Sequence, residues 1–158
     1  MIFEKFNSTS CVWVYLSNSS INEEKSAEIL EEFNMFSKDW KSHGESVEGQ
    51  LRIIDNHIVA IGANIPSDSI CGRAVDAQVR FMKSLDNSMG YDFMDRNQLA
   101  FTQEKSLIIY DFGKISSLID ENKINEKTPW CNTFLKINED DLFLPFGYSP
   151  FAFSFFSK

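Results

Sequence analysis

Histidine and cysteine are scarce in this sequence, which has two histidines and three cysteines in 158 residues. The cysteines, Cys11, Cys71 and Cys131, are odd in number, far apart and without CxxC spacing. They therefore do not read as a disulfide framework, and they indicate a reducing compartment. Neither His43 nor His57 stands beside a cysteine or another histidine, so no ligand set for zinc is visible. We expect no metal site and no cofactor.

Long apolar runs and phosphate-binding motifs are also missing. No stretch reaches the roughly 18 apolar residues that a membrane-spanning helix needs. The N-terminal region has no basic segment followed by a long apolar one, so it does not read as a signal peptide. Neither GxxxxGK[ST] nor GxGxxG occurs, so the sequence gives no support to nucleotide hydrolysis. We predict a cytoplasmic protein that does not enter a membrane.

The balance of charge argues against a nucleic-acid partner. The formal net charge is −8 and the basic residues form no stripe with interleaved aromatics, so the surface repels phosphate backbones. Hydrophobic residues make up 43% and charged residues 24%, which is typical of a globular chain. The length fits a single domain, residues 1–158, with a core at 11–112 and a C-terminal addition at 113–158.

The first half of the chain predicts a strand followed by a helix. Residues 11–17 alternate in the way a strand does. The next apolar residues recur at spacings of 4, 3 and 4, which is helical: Ile29, Phe33, Phe36 and Trp40. Ser20 and Glu23 form a capping-box pattern at the start, and Gly44 is suited to a left-handed cap at the end.

Two hairpins on either side of a central helix complete the predicted core. The hairpins join 47–54 to 57–63 through Asp55-Asn56, and 98–103 to 106–112 through Glu104-Lys105. The helix spans residues 70–89 and stops at Gly90; a short helix (115–122) and one strand (128–137) follow. The order β-α-β-β-α-β predicts an α+β fold, an antiparallel sheet with two main helices on one face, ferredoxin-like (βαββαβ), plus a small α/β addition.

The central helix carries a regular charged face. Its apolar stripe comprises Val75, Val79, Met82 and Met89, and its charged face comprises Arg73, Asp76, Arg80 and Lys83. Asp76 can pair with Arg73 or Arg80 one turn away, which would make this an ion-paired solvated face. The alternative is a recognition surface for an acidic or phosphorylated ligand, extended by Asp95 and Arg96.

Cys71 stands near the first turn of this helix, with Ser69 or Asp68 as the expected cap. The helix dipole and Arg73 would lower the pKa of a thiol there, as in nucleophilic cysteines. Catalysis also needs a base, and His57 on the neighbouring hairpin is the candidate. The same helix start could instead hold an anion.

Aromatic residues are concentrated near the C-terminus. Phe151, Phe153 and Phe155 alternate in the segment 142–156, which either closes the core or docks onto a second copy or another protein. Trp130 follows a proline in a stretch that resembles GYF-type peptide-binding modules without their signature; it either displays its ring or caps the core. Few basic residues accompany these rings, so membrane anchoring is not favoured.

Four stretches resemble a family of small cytoplasmic proteins from Bacteroidetes-type bacteria: VWVYLSN (12–18), VDAQVRFMKSL (75–85), YDFMDR (91–96) and LIDENKINEKT (118–128). Members often carry the label "ABC transporter ATPase", which no motif in this chain supports. The family typically has a cysteine where this chain has Arg73, and Cys71 stands two residues earlier. The resemblance implies one cytoplasmic unit and no particular activity.

The sequence therefore predicts a non-catalytic cytoplasmic binding or assembly protein whose partner is unknown, either another protein or a second copy. The proposed binding residues are Arg73, Asp76, Arg80, Asp95, Arg96, Trp130, Phe151 and Phe153. The alternatives are a thiol-dependent enzyme using Cys71 with His57, and an anion-binding domain. Convergence of Cys71, His57, Asp76 and Arg96 on one concavity would favour the enzyme.

Overall fold

A computed structural model describes residues 1–157, and this part of the chain forms two compact units. The first unit comprises residues 1–94 and 134–140; the second comprises 95–133 and 141–157. Across the described residues there are four α-helices and three antiparallel sheets, so the α+β class with antiparallel pairing is confirmed. The expectation of a single domain stays a prediction.

The first unit contains a three-stranded sheet, a small hairpin and the two long helices. Its elements are β1 (Ser10–Leu16), α1 (Glu23–Lys38), β2 (Lys41–Ser42), β3 (Glu45–Ser46), β4 (Gly49–Ile54), β5 (Ile58–Pro66) and α2 (Gly72–Met89). The strand order is β1-β5-β4, and β2 pairs only with β3. Both helices bury their apolar side chains against one face of the sheet, through Ile29 and Phe33 of α1 and Met82 of α2.

The first helix is present, but both of its predicted ends are wrong. Asn22 rather than Ser20 is the N-cap, and its side chain accepts a hydrogen bond from the Lys25 N–H at 2.8 Å. The helix ends at Lys38, so Trp40 lies beyond it. Gly44 does adopt a left-handed conformation (φ 82°), but in the turn between β2 and β3 rather than at a helix end.

The central helix ends as predicted, at Gly90 with φ 75°. Its buried face is rotated slightly from the predicted stripe. Ala74, Gln78, Phe81, Met82 and Leu85 are buried, whereas Val75 and Val79 are half-buried. The amide oxygen of Gln78 accepts a hydrogen bond from the Tyr15 hydroxyl at 2.7 Å, so a polar side chain occupies the middle of the apolar face.

The second unit is organised around a four-stranded antiparallel sheet in the order β7-β6-β8-β9. Its elements are β6 (Gln98–Gln103), β7 (Ser106–Asp111), a 3-10 turn (Phe112–Lys114), α3 (Ile115–Asp120), β8 (Pro129–Cys131), β9 (Phe143–Pro145), a second 3-10 turn (Phe146–Tyr148) and α4 (Ala152–Phe156). The predicted strand 128–137 is thus three residues long, and the alternating phenylalanines form a short helix. Phe146, fully buried, packs on Trp130 and Phe101.

The pairing of β6 corrects the ferredoxin-like prediction. The order β1-β5-β4 reproduces three strands of that arrangement, but Gln98–Gln103, the strand expected to complete it, belongs to the four-stranded sheet. The free edge of β1 is bridged instead by Ile137. Both predicted hairpin turns are confirmed, since Asp55-Asn56 and Glu104-Lys105 all have positive φ.

Candidate functional site

Cys71 is the N-cap of α2, where it makes no capping hydrogen bond with its own side chain. The predicted caps, Asp68 and Ser69, lie outside the helix start. A residue from a distant part of the chain supplies the polar contact: the Ser42 hydroxyl oxygen accepts a hydrogen bond from the Cys71 N–H at 3.0 Å. Because Ser42 is buried, this contact fixes its hydroxyl beside the cysteine.

The short β2–β3 hairpin that carries Ser42 is held against the helix by Trp40. The buried indole N–H of Trp40 donates to the carbonyl of Ala74, in the first turn of α2, at 2.9 Å. A Cβ on Gly49 would lie 2.7 Å from the Trp40 ring, so only glycine allows this approach. His43 and Gly44 form the turn with φ of 52° and 82°, a type I′ pattern suited to a two-residue hairpin.

This arrangement lowers the pKa of the Cys71 thiol from its ordinary 9.0 to about 7. The main cause is the Ser42 hydroxyl, followed by the nearby backbone N–H groups of His43 and Ala74, the latter donating to the Cys71 carbonyl at 3.1 Å, while the charge of the His43 ring adds least. Since the Ser42 oxygen already accepts from the Cys71 N–H, its own proton is free to point at the sulfur. Donors near the sulfur favour the thiolate because a hydrogen bond stabilises the charged form more than the neutral one.

The other two cysteines differ from Cys71 in burial. Burial raises the pKa of the Cys11 thiol to about 11, and Cys131 is fully buried. All three are free thiols. Cys71, which is only half-buried, is therefore the cysteine placed to react with a molecule from solution.

Cys71 opens onto a concavity of about 750 Å³ whose lining residues include Lys41 and Arg73. Its walls are Lys41, His43, Gly44, Cys71, Gly72 and Arg73. Within residues 1–157, neither Lys41 nor Arg73 forms an ion pair, and a Cβ added to Gly44 or Gly72 would meet no atom within 4 Å. Lys41 and Arg73, neither of them ion-paired, thus share one open surface with the half-buried Cys71.

His57, the base predicted from the sequence, does not lie beside Cys71. Its Nδ1 contacts the Ser17 carbonyl oxygen at 2.8 Å, next to the start of β5. Cys71 follows the other end of that strand, and nine residues at about 3.3 Å each lie between the two ends. The imidazole near Cys71 belongs to His43, which the sequence placed at a helix end.

The predicted Arg/Asp surface is not an ion-paired cluster. Arg73, Asp76 and Arg80 are exposed on α2, and no ion pair joins Asp76 to either arginine in the described part of the chain. Asp95 and Arg96 belong to the second unit. Of these five residues, only Arg73 lines the concavity beside Cys71.

The predicted aromatic binding residues divide into buried and exposed ones. Trp130 is 1% exposed and Phe151 half-buried, with their rings in edge contact, so Trp130 belongs to the core of the second unit and displays no ring. Phe153 is 81% exposed. Tyr148, which the sequence did not single out, is 76% exposed. The C-terminal segment therefore mostly covers the core and leaves two rings outside.

Comparison with known proteins gives no further guide to function. The chain matches no family model, no curated protein and no solved structure. Over residues 1–157, no helix is both long and apolar enough to cross a bilayer, and no three His, Cys, Asp or Glu side chains are grouped to hold a metal ion.

Proposed function

We propose that the protein acts through Cys71 as a reactive thiolate toward small anionic molecules. One observation carries this proposal: Ser42, whose hydroxyl oxygen accepts from the Cys71 N–H at 3.0 Å, places its hydroxyl beside Cys71 at the wall of a concavity that Lys41 and Arg73 also line. The donors favour the nucleophilic form of the thiol, and the cations favour a substrate with a carboxylate or phosphate group.

The chemistry that fits this arrangement is nucleophilic displacement. The Cys71 thiolate forms a bond to an electrophilic carbon or sulfur of the substrate, and the leaving group departs with the electron pair of the broken bond. Lys41 and Arg73 hold the anionic group. His43 is the nearby residue able to give a proton to the leaving group or take one from a second reactant. The protein's compartment would be the cytoplasm, which suits three free cysteines.

Alkylation with iodoacetamide tests the thiolate. We expect a single site of modification, Cys71, with a rate that rises through an inflection near pH 7. Cys11 and Cys131 serve as internal controls because both are buried, and Cys71→Ser should abolish the signal in intact mass spectra. An unreactive Cys71, or an inflection at 8.5 or higher, would refute the proposal.

Iodoacetate tests the preference for anions. The rate of alkylation by iodoacetate, divided by the rate for neutral iodoacetamide, should be higher for the protein than for free glutathione. The reason is that Lys41 and Arg73 attract the carboxylate of iodoacetate. Arg73→Gln should lower that ratio while leaving the inflection in place, since Arg73 is not among the causes of the lowered pKa. Lys83→Gln, an exposed change elsewhere on α2, is the matched control. Equal ratios for the protein and glutathione would contradict an anion site.

A second candidate function, binding or assembly without catalysis, is favoured by the exposed rings of the second unit. Tyr148 and Phe153 are large aromatic side chains left mostly in solvent, a feature of recognition surfaces. Deleting the C-terminal segment 142–156 would also remove the buried Phe146, so point changes are the sharper test. Tyr148→Ser with Phe153→Ser should abolish the binding of co-purifying proteins without changing the unfolding midpoint. An unchanged set of co-purifying proteins would count against this candidate.

A further inference from the structure

The edge strand β7 of the second unit has few of the features that keep sheet edges from pairing, since its one charged residue, Asp111, is its last. Its residues 106–110, SLIIY, contain no charge, proline or glycine, and all of its residues are at least partly accessible. Natural edges are usually protected by charges, bulges or covering segments. The sheet of the first unit follows that rule: β4 carries Arg52, and the β1 edge is bridged by Ile137.

The register of the hairpin shows which backbone groups of β7 are free. The two-residue turn makes Gln103 and Ser106 its closing pair, and hydrogen-bonded pairs then alternate along the ladder. The N–H and C=O groups of Leu107 and Ile109 therefore point away from β6. Within residues 1–157, no backbone hydrogen bond outside the β6–β7 ladder uses Leu107, Ile108 or Ile109.

We propose that β7 pairs antiparallel with β7 of a second copy of this chain, joining the two four-stranded sheets into one. The two-fold axis passes through Ile108, so Ile108 faces its own copy and Leu107 faces Ile109 of the partner. The outward groups of Leu107 and Ile109 then supply about four main-chain hydrogen bonds. The interface is independent of Cys71 and of the exposed rings.

Charge complementarity selects this register. With Ile108 on the axis, Lys105, the second residue of the β6–β7 turn (φ 66°), comes beside Asp111 of the other copy at both ends of the paired strands. An axis at Leu107 would set Lys105 against Ile109, and an axis at Ile109 would set Leu107 against Asp111. Both alternatives place a charge opposite an apolar side chain, whereas opposite charges across a ladder are favourable. Lys105 and Asp111 are exposed and make no ion pair within the described chain.

One added cysteine at a time, in a Cys71→Ser background that keeps the buried Cys11 and Cys131, tests the register. Under mild oxidation, Ile108→Cys should give a disulfide-linked dimer, because the residue meets its own copy in a closely spaced, non-hydrogen-bonded pair. Leu107→Cys and Ile109→Cys, the matched controls, should stay unlinked because each faces a different residue. Cross-linking of either control in preference to Ile108→Cys would overturn the register.

Light scattering after size exclusion tests the dimer itself. The 18.2 kDa chain should give about 36 kDa, twice its mass, at high micromolar concentration. Lys105→Asp and Asp111→Lys should each shift the protein toward monomer, and the double variant with swapped charges should restore the dimer; circular dichroism checks that each is folded. A monomer at every concentration, open-ended larger masses, or a dimer indifferent to the charge changes would each overturn the proposal.

Discussion

Replacing Ser42 by alanine should raise the pKa of Cys71 and slow its alkylation at neutral pH. The Ser42 hydroxyl is the main cause of the lowered pKa, while the N–H groups of His43 and Ala74 stay in place. We therefore expect the inflection of the rate profile to move above 7 without reaching the ordinary 9.0. The sign follows from the donor: without it the thiolate is less stabilised, so a higher pH is needed to form it.

The size of the effect is bounded by the fraction of thiolate. At a pKa of about 7, roughly half of the molecules carry a thiolate at pH 7; at 9.0, roughly one in a hundred does. The rate at pH 7 should thus fall severalfold, with a limit of about fifty-fold. At pH 10 the order should reverse, because a more basic thiolate is more nucleophilic, with a Brønsted coefficient of about 0.4 to 0.5. The two profiles should therefore cross.

The assay is the pseudo-first-order rate of iodoacetamide alkylation, followed by intact mass between pH 5.5 and 10.5. His43→Asn is the matched control: asparagine tolerates the left-handed conformation and keeps the backbone N–H, so only the ring charge is lost. Since that charge adds least, its inflection should move much less than that of Ser42→Ala. The opposite order, or an unchanged inflection in Ser42→Ala, would refute the role given to Ser42. Ser42→Ala should also cost about 1 kcal/mol of stability, because the Cys71 N–H loses its acceptor.

Two further predictions concern the core and use denaturant unfolding. Tyr15→Phe should lower the free energy of unfolding by about 1–3 kcal/mol, because the buried Gln78 oxygen loses its 2.7 Å donor. Adding Gln78→Met should recover most of that loss, since the Gln78 amide nitrogen already lacks a partner. Losses that simply add in the double variant would contradict the coupling of the two residues. Gly62→Ala should lower the free energy of unfolding by about 1–3 kcal/mol, because its Cβ would lie 2.7 Å from the buried Phe3 ring. Gly72→Ala, at an open helix start, should be neutral or stabilising. Equal effects of the two changes would contradict the packing argument.

Local patterns were enough to predict several elements of the fold. Helix α2 follows from the periodicity of its apolar residues, and its end at Gly90 follows from the conformational freedom of glycine. Each of these signals lies within a few residues of the feature it predicts. The turn Asp55-Asn56 was likewise readable because both residue types tolerate positive φ, whereas Glu104-Lys105 was inferred from the β-rich runs on either side of it. What local patterns do not encode is the choice of partner for a strand. Gln98–Gln103 was correctly predicted as a strand and assigned to the wrong sheet, because pairing depends on contacts distant in sequence.

The candidate site shows the same difference between what local patterns predict and what depends on residues distant in sequence. Cys71 could be singled out because its position at the start of a helix is local information. Its partner Ser42 lies 29 residues away, and no spacing rule connects the two. The error at Gly44 hid that connection: taken as a helix cap, this glycine extends α1 through Ser42 and His43 and leaves no hairpin to reach Cys71. Taken as the second residue of a type I′ turn, it ends a short strand at Ser42, whose hydroxyl oxygen accepts from the Cys71 N–H. The same left-handed glycine fits both readings, and the element it belongs to, a helix end or a hairpin turn, decides whether Cys71 is an isolated thiol or part of a site.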